Sequence, residues 1–140
     1  FENALWEIPK ERMKAGIEHR VPLTKRAMEI LKLVQPFSSK THVFPGGKKE
    51  KPLSNMAMSM LLRRMGYDSI TVHGFRSSFR NWAGEQTNYP FEVCEQALAH
   101  RLPDAVAAAY LRSDFFERRA SLLADWSNYC QSKCPTSTVA

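Results

Sequence analysis

The chain has 140 residues, 44% of them hydrophobic, which is about one domain's length with enough apolar material for a packed core. Twenty Lys and Arg against fourteen Asp and Glu leave a formal charge of +6, which suits a polyanionic partner without proving one. No apolar run approaches the roughly 20 residues that span a bilayer, and no basic-then-apolar leader opens the chain, so the sequence reads as intracellular with no membrane partner.

In chain order, Ala4 to Pro9 reads as a short strand around Leu5, Trp6 and Ile8, and His19, Val21 and Leu23 alternate with Arg20 and Pro22 in a second. Together they predict an antiparallel hairpin, whose connection from Lys10 to Glu18 carries Arg12, Lys14 and Gly16. Thr24 suits a helix N-cap, and Ala27, Ile30, Leu31 and Val34 follow helical spacing until Pro36, which predicts a core helix. The stretch from Gly46 to Pro52 is a Gly/Pro/Lys loop whose Lys48 and Lys49 can touch backbone phosphates or simply be solvated. Ser54 is placed to cap a helix with Met58, Leu61, Leu62 and Met65 on one apolar face, stopped by Gly66.

Thr71 is then the expected cap of a helix whose first turn holds His73 and Arg76. Residues three apart share a helix face, so these two project together, and Arg80 continues that face one turn on. Phe75, Phe79, Trp82 and Ala83 fall on the opposite, core side. Pro90 suits the first position of the next helix, with Phe91, Cys94, Ala97 and Leu98 facing the core and His100 and Arg101 emerging at its end. Asp104 can cap a short helix carrying Tyr110. A last helix is expected from Asp114 to about Cys130, with Phe115, Leu122, Trp126 and Tyr129 along one stripe, and residues 131–140 read as a loose tail. The odd count of cysteines, Cys94, Cys130 and Cys134, argues against a disulfide framework, and no nearby His completes a metal site around the last two.

The residue types between His73 and Tyr110 suit attack by a phenol oxygen on a phosphodiester. A phenol with a reference pKa near 10 needs a group to take its proton, which a nearby His can do. Extra negative charge on the pentacoordinate phosphate calls for donors that stay charged, which an Arg fork provides. Taken singly, each residue also has an ordinary reading: a solvated His–Arg face, a core Tyr, or a His favoured by the negative end of a helix.

The order H-x-x-R at His73 to Arg76, then Leu98-Ala99-His100-Arg101, then Tyr110 ten residues after His100, resembles the tyrosine recombinases, the phage-integrase family, and most of all its prophage and genomic-island members. The resemblance covers about residues 1–130. It implies a partial catalytic domain, mainly α with a small antiparallel β-hairpin (α+β), that cleaves a DNA strand through a 3′-phosphotyrosyl link and religates it during integration or excision of mobile DNA. By that likeness Tyr110 attacks, Arg76 clamps the phosphate, His73 shuttles the phenol proton, His100 bonds a non-bridging oxygen and Lys14 protonates the departing 5′ hydroxyl. Lys10 competes with Lys14 for that role. Arg12, His19, Lys48, Lys49, Arg80 and Arg101 are the expected DNA contacts.

The resemblance implies no metal or other cofactor, because the ester link keeps the phosphodiester's energy. Double-stranded DNA is the implied partner, together with self-association as a tetramer through the helix 114–130, in the cytoplasm of a bacterial or phage-infected host cell. The family's second activating arginine lies upstream of the hairpin in a Gly-x-Arg context, and this chain begins at the hairpin, so the 140 residues alone are expected to cleave poorly. A non-catalytic DNA-binding remnant and a type IB topoisomerase-like enzyme that relaxes DNA are the alternatives.

Overall fold

A computed structural model describes residues 3–48, 51–100 and 114–133. The expected hairpin forms: β1 (Leu5–Ile8) pairs antiparallel with β2 (His19–Pro22), placing Trp6 opposite Val21 and Glu7 opposite Arg20. In the connection, Lys10–Arg12 winds a single 3-10 turn, and Gly16 takes φ +67°, a left-handed conformation open to a residue without a Cβ.

Thr24 caps α1 (Lys25–Val34), its Oγ1 accepting the Ala27 N–H at 3.2 Å, and Pro36 lies in the 3-10 turn that ends the helix. The expectation that α1 is a core helix is corrected: none of its residues is buried, and Ile30 and Leu33 are exposed. A similar correction applies to α2 (Ala57–Arg64). It starts three residues after Ser54, whose backbone carbonyl rather than its hydroxyl takes the Ala57 N–H, and Met58, Leu61 and Met65 are exposed. Helical periodicity marks which side is apolar, not what covers it. Gly66 does stop the helix, with φ +82° and the Tyr67 N–H bonded back to the Leu62 carbonyl.

The core lies instead between α3 (Gly74–Gln86), α4 (Phe91–Ala97) and α5 (Phe116–Lys133). Phe79, Trp82 and Ala83 from α3 meet Val93, Cys94 and Leu98 from α4 and its end, and Leu122 from α5. Val93 and Leu122 are fully buried, each such side chain contributing about 1.5–3 kcal/mol of transfer free energy. Trp126 sets its ring edge-on to Phe79 at 5.6 Å and stacks with Tyr129. Two expected core residues lie outside: Phe75 and Phe91 sit in the first turns of their helices and are about half exposed. The last helix runs on to Lys133, past the expected end near Cys130.

One buried arginine fastens the hairpin to α5. Arg119 is 1% exposed and donates to the Arg20 carbonyl at 2.6 Å, to the Asp114 carbonyl at 2.7 Å and to the Asp114 carboxylate at 3.2 Å. Arg20 donates twice to the same carboxylate oxygen, at 2.9 and 2.6 Å, and its guanidinium lies over the Phe116 ring. Asp114 also accepts the Phe116 N–H, so its carboxylate satisfies the first amide of the last helix from one residue ahead of the cap position, which Phe115 holds. The fold is mainly α with a small antiparallel hairpin: five α-helices and two strands among the described residues.

Candidate active site

Two helix ends build the site. At the start of α3, Thr71 Oγ1 accepts the Gly74 N–H at 3.0 Å and Arg76 lies in the first turn as expected. The expectation for His73 is corrected: the helix begins at Gly74, so His73 rather than Thr71 holds the N-cap position, and its side chain makes no cap bond. At the end of α4, the Ala99 N–H bonds the Gln96 carbonyl and the His100 N–H bonds the Glu95 carbonyl, with Ala99 in the left-handed region at φ +54°. These paired bonds form a Schellman cap, and they turn His100 back over the last turn of its own helix.

Arg76 bridges the two ends. Its Nη2 donates to the Leu98 carbonyl at 2.6 Å and to His100 Nε2 at 2.7 Å. Leu98 is among the last carbonyls of α4, left unpaired by helical geometry, so a cation there is favourable. Because a guanidinium only donates, His100 Nε2 accepts, and the ring proton belongs on Nδ1, which lies 2.8 Å from a Glu95 carboxylate oxygen. The other Glu95 oxygen takes the Arg80 Nε–H at 2.6 Å, and the Arg80 guanidinium lies 4.9 Å over the Phe91 ring. Burial opposes ionisation of Glu95, but the hydrogen bonds from His100 and Arg80 outweigh it and hold its carboxyl below the usual range.

Arg76 has no carboxylate partner among the described residues, and none of the hydrogen bonds found there uses its Nε or Nη1. An oriented guanidinium with two nitrogens unused and no carboxylate against it among the described residues can take an anion. Arg80 differs, since its Nε is held by Glu95.

The structure therefore joins Arg76, His100 and Arg80 and adds Glu95, which sequence reasoning missed. Glu95 stands five residues before His100, and the turn that follows the helix end at Ala97 makes the two adjacent. His73 is exposed beside α3, and among the described residues no hydrogen bond or ion pair ties it, Lys14, Arg12 or Lys48 to the cluster. His19 is half-buried at the start of β2, within the hairpin; burial and the charge of Arg119 lower its proton affinity. Tyr110, Arg101 and Lys49 lie outside the described residues.

Two other nucleophilic side chains near this core, Cys94 and Tyr89, are poorly placed. Cys94 is buried in the core, and burial pushes its thiol up. Tyr89 donates its hydroxyl to Asp125 at 2.7 Å, and burial with that contact raises its pKa to about 12. The described residues hold no cluster of metal-binding side chains and no helix long and apolar enough to cross a membrane.

Across nearly all of its length the sequence is similar to curated integrases. Prophage integrase IntA of Escherichia coli (strain K12) is 34% identical over 131 residues, spanning 91% of this chain and 32% of the relative. Prophage integrase IntZ of the same strain is 34% identical over 136 residues, spanning 94% of this chain and 33% of that protein. The chain belongs to the phage-integrase family. The integrase of Enterobacteria phage P4 extends the likeness, at 33% identity over 92% of this chain. This integrase-family chain spans about a third of the length of the relatives it matches. No family model matches it. No solved structure matches it either. Within the matched length lie Arg76, His100 and Glu95, the three residues that the two helix ends bring together.

Proposed function

We propose that this chain carries the phosphate-binding and nucleophilic part of a site-specific DNA recombinase that integrates and excises mobile DNA. The observation that carries the reading is Arg76, oriented by the Leu98 carbonyl and His100 yet lacking an acidic partner among the described residues. A phosphodiester of duplex DNA supplies that missing charge. Tyr110 attacks the phosphorus while its phenol proton passes to His73. The bond to the 5′ oxygen breaks, and the leaving hydroxyl takes a proton from Lys14. The resulting 3′-phosphotyrosyl ester is then attacked by the 5′ hydroxyl of another strand, which reverses the proton transfers and frees Tyr110. Bond energy is conserved throughout, so the exchange uses no nucleotide.

His100 accepts at Nε2 in the described state, so donating to a phosphate oxygen requires a second ring proton. Glu95 on Nδ1 is the counter-charge for the imidazolium so formed. Assembly of several copies on DNA belongs to the same reading. The apolar stripe of α5 packs within the chain, against α3, so assembly would use the outer side of that helix.

The test uses the gene's full-length product and a nicked suicide duplex, scored for a protein–DNA adduct that survives denaturant. The unaltered protein should form it, and Tyr110→Phe should form none while keeping its affinity for the duplex. Arg76→Ala should weaken binding and reduce the slope of log affinity against log salt by about 0.9, one phosphate contact. An adduct with the Tyr110→Phe protein would refute the assignment of the nucleophile.

A further inference from the structure

Five side chains form one relay across the two helices: Phe91 under Arg80, Arg80 on Glu95, Glu95 on His100, and His100 on Arg76. Glu95 is its centre. One carboxylate oxygen takes Arg80 and the other takes His100, so both are in use and the carboxylate plane is set by two partners from different elements. Its side chain is 13% exposed, against 44% for His100, so the acid is the sheltered member of the pair and the imidazole the accessible one. The backbone reinforces this, because the His100 N–H bonds the carbonyl of the same Glu95 whose side chain meets Nδ1.

We infer that Glu95 is the positioning residue of this site, fixing the His100 proton on Nδ1 and holding Nε2 against Arg76 Nη2, beside the guanidinium atoms where a phosphate would sit. Arg80 acts through Glu95: its Nε sets the rotation of the carboxylate, and Phe91 supports the guanidinium from below. The inference deepens the proposed function and rests on its reading of Arg76 and His100 as the phosphate-binding pair. An imidazole whose Nδ1–H is held by a carboxylate keeps one tautomer and one ring orientation, and loss of the carboxylate lets the ring adopt the wrong one.

The tautomer can be read without any activity. In the 15N-labelled chain, long-range proton–nitrogen spectra at a pH where the ring is neutral distinguish a protonated from a bare ring nitrogen, and His100→Gln identifies the His100 signals. The unaltered chain should show Nδ1 protonated and Nε2 bare. Glu95→Ala should lose that preference, whereas Glu95→Gln, which keeps an accepting oxygen, should retain it. Arg76→Ala should retain it too, since Nδ1 keeps its acceptor. A protonated Nε2 in the unaltered neutral ring would overturn the proposal even if Glu95→Ala failed to fold. So would a tautomer that follows Arg76 and ignores Glu95.

In the full-length product, Glu95→Ala should slow adduct formation by about 10–100-fold, as loss of an orienting partner does elsewhere, with duplex affinity within about twofold. Glu95→Gln should recover most of the rate. If the unaltered protein forms no adduct, the proposed function fails and the tautomer measurement alone judges Glu95. If it does form one and Glu95→Ala matches its rate, the positioning role fails and the recombinase reading stands.

Discussion

Asp114 should matter more to stability than the buried arginine it faces. Arg119 is 1% exposed and donates to two backbone carbonyls and the Asp114 carboxylate, while Arg20 brings a second guanidinium to the same carboxylate. Asp114→Asn keeps the shape but leaves one buried and one half-exposed cation with no anion between them. Removing one partner of a buried ion pair costs about 3–5 kcal/mol, and because the Asp114 side chain is 37% exposed we expect about 2–4 kcal/mol here. Arg119→Met removes the hydrogen bonds but leaves no buried charge: two carbonyls lose a donor, and Asp114 keeps Arg20. That should cost about 1–3 kcal/mol.

The double variant should be no less stable than Asp114→Asn alone, since replacing Arg119 then removes the uncompensated charge. Urea unfolding followed by tryptophan fluorescence reports the core through Trp82 and Trp126, which lie 5.1 Å apart by ring centroid. With a urea dependence of about 1–3 kcal/mol per molar, a 3 kcal/mol loss moves the midpoint by about 1–3 M. If Arg119→Met is the more destabilising single change, or if the two losses simply add, the hairpin is not held in the way described.

Stability should also fall on acidification in two stages. Burial, then the Arg119 charge, lowers the His19 pKa below 6.5, so the unfolded chain binds more protons there; stability is complete above about pH 6.5 and declines as pH drops through that value toward the folded one. His19→Gln should flatten this stage, and an unchanged profile would remove His19 from the account. Asp114 and Glu95 are both held below their ordinary values of 3.8 and 4.5, so their contributions are present above those values and are lost as pH falls past them toward the folded ones. Ala99→Gly should raise stability by about 1 kcal/mol, because Ala99 holds φ +54° in the cap that presents His100 and a Cβ is disfavoured there; a thermal midpoint that falls would refute the strain.

The sequence by itself determined whatever depends on near neighbours. The hairpin follows from a short apolar run around Leu5, Trp6 and Ile8 and from the alternation of His19, Val21 and Leu23 with Arg20 and Pro22, the Thr24 cap from a hydroxyl three residues ahead of an amide, and the α2 stop from Gly66. The shared face of Arg76 and Arg80 follows from helical spacing alone, and the ordered motifs from His73 to Tyr110 carried the family. Only the tertiary structure decided which apolar stripes are covered. The stripes on α1 and α2 look like those on α3 and α5 in sequence, yet the first two remain open among the described residues while the others pack around Val93 and Leu122.

Tertiary structure also decided the partners of the charges. Arg80 meets Glu95 across 15 residues and Arg119 meets the Arg20 carbonyl across 99, distances over which no periodicity operates. In sequence Glu95 of α4 reads no differently from Glu92, nor Arg119 of α5 from its neighbour Arg118, until two helix ends and a strand converge on Glu95 and Arg119. Pattern in a chain reports geometry within about a turn, whereas the choice between solvent and a partner is made by packing.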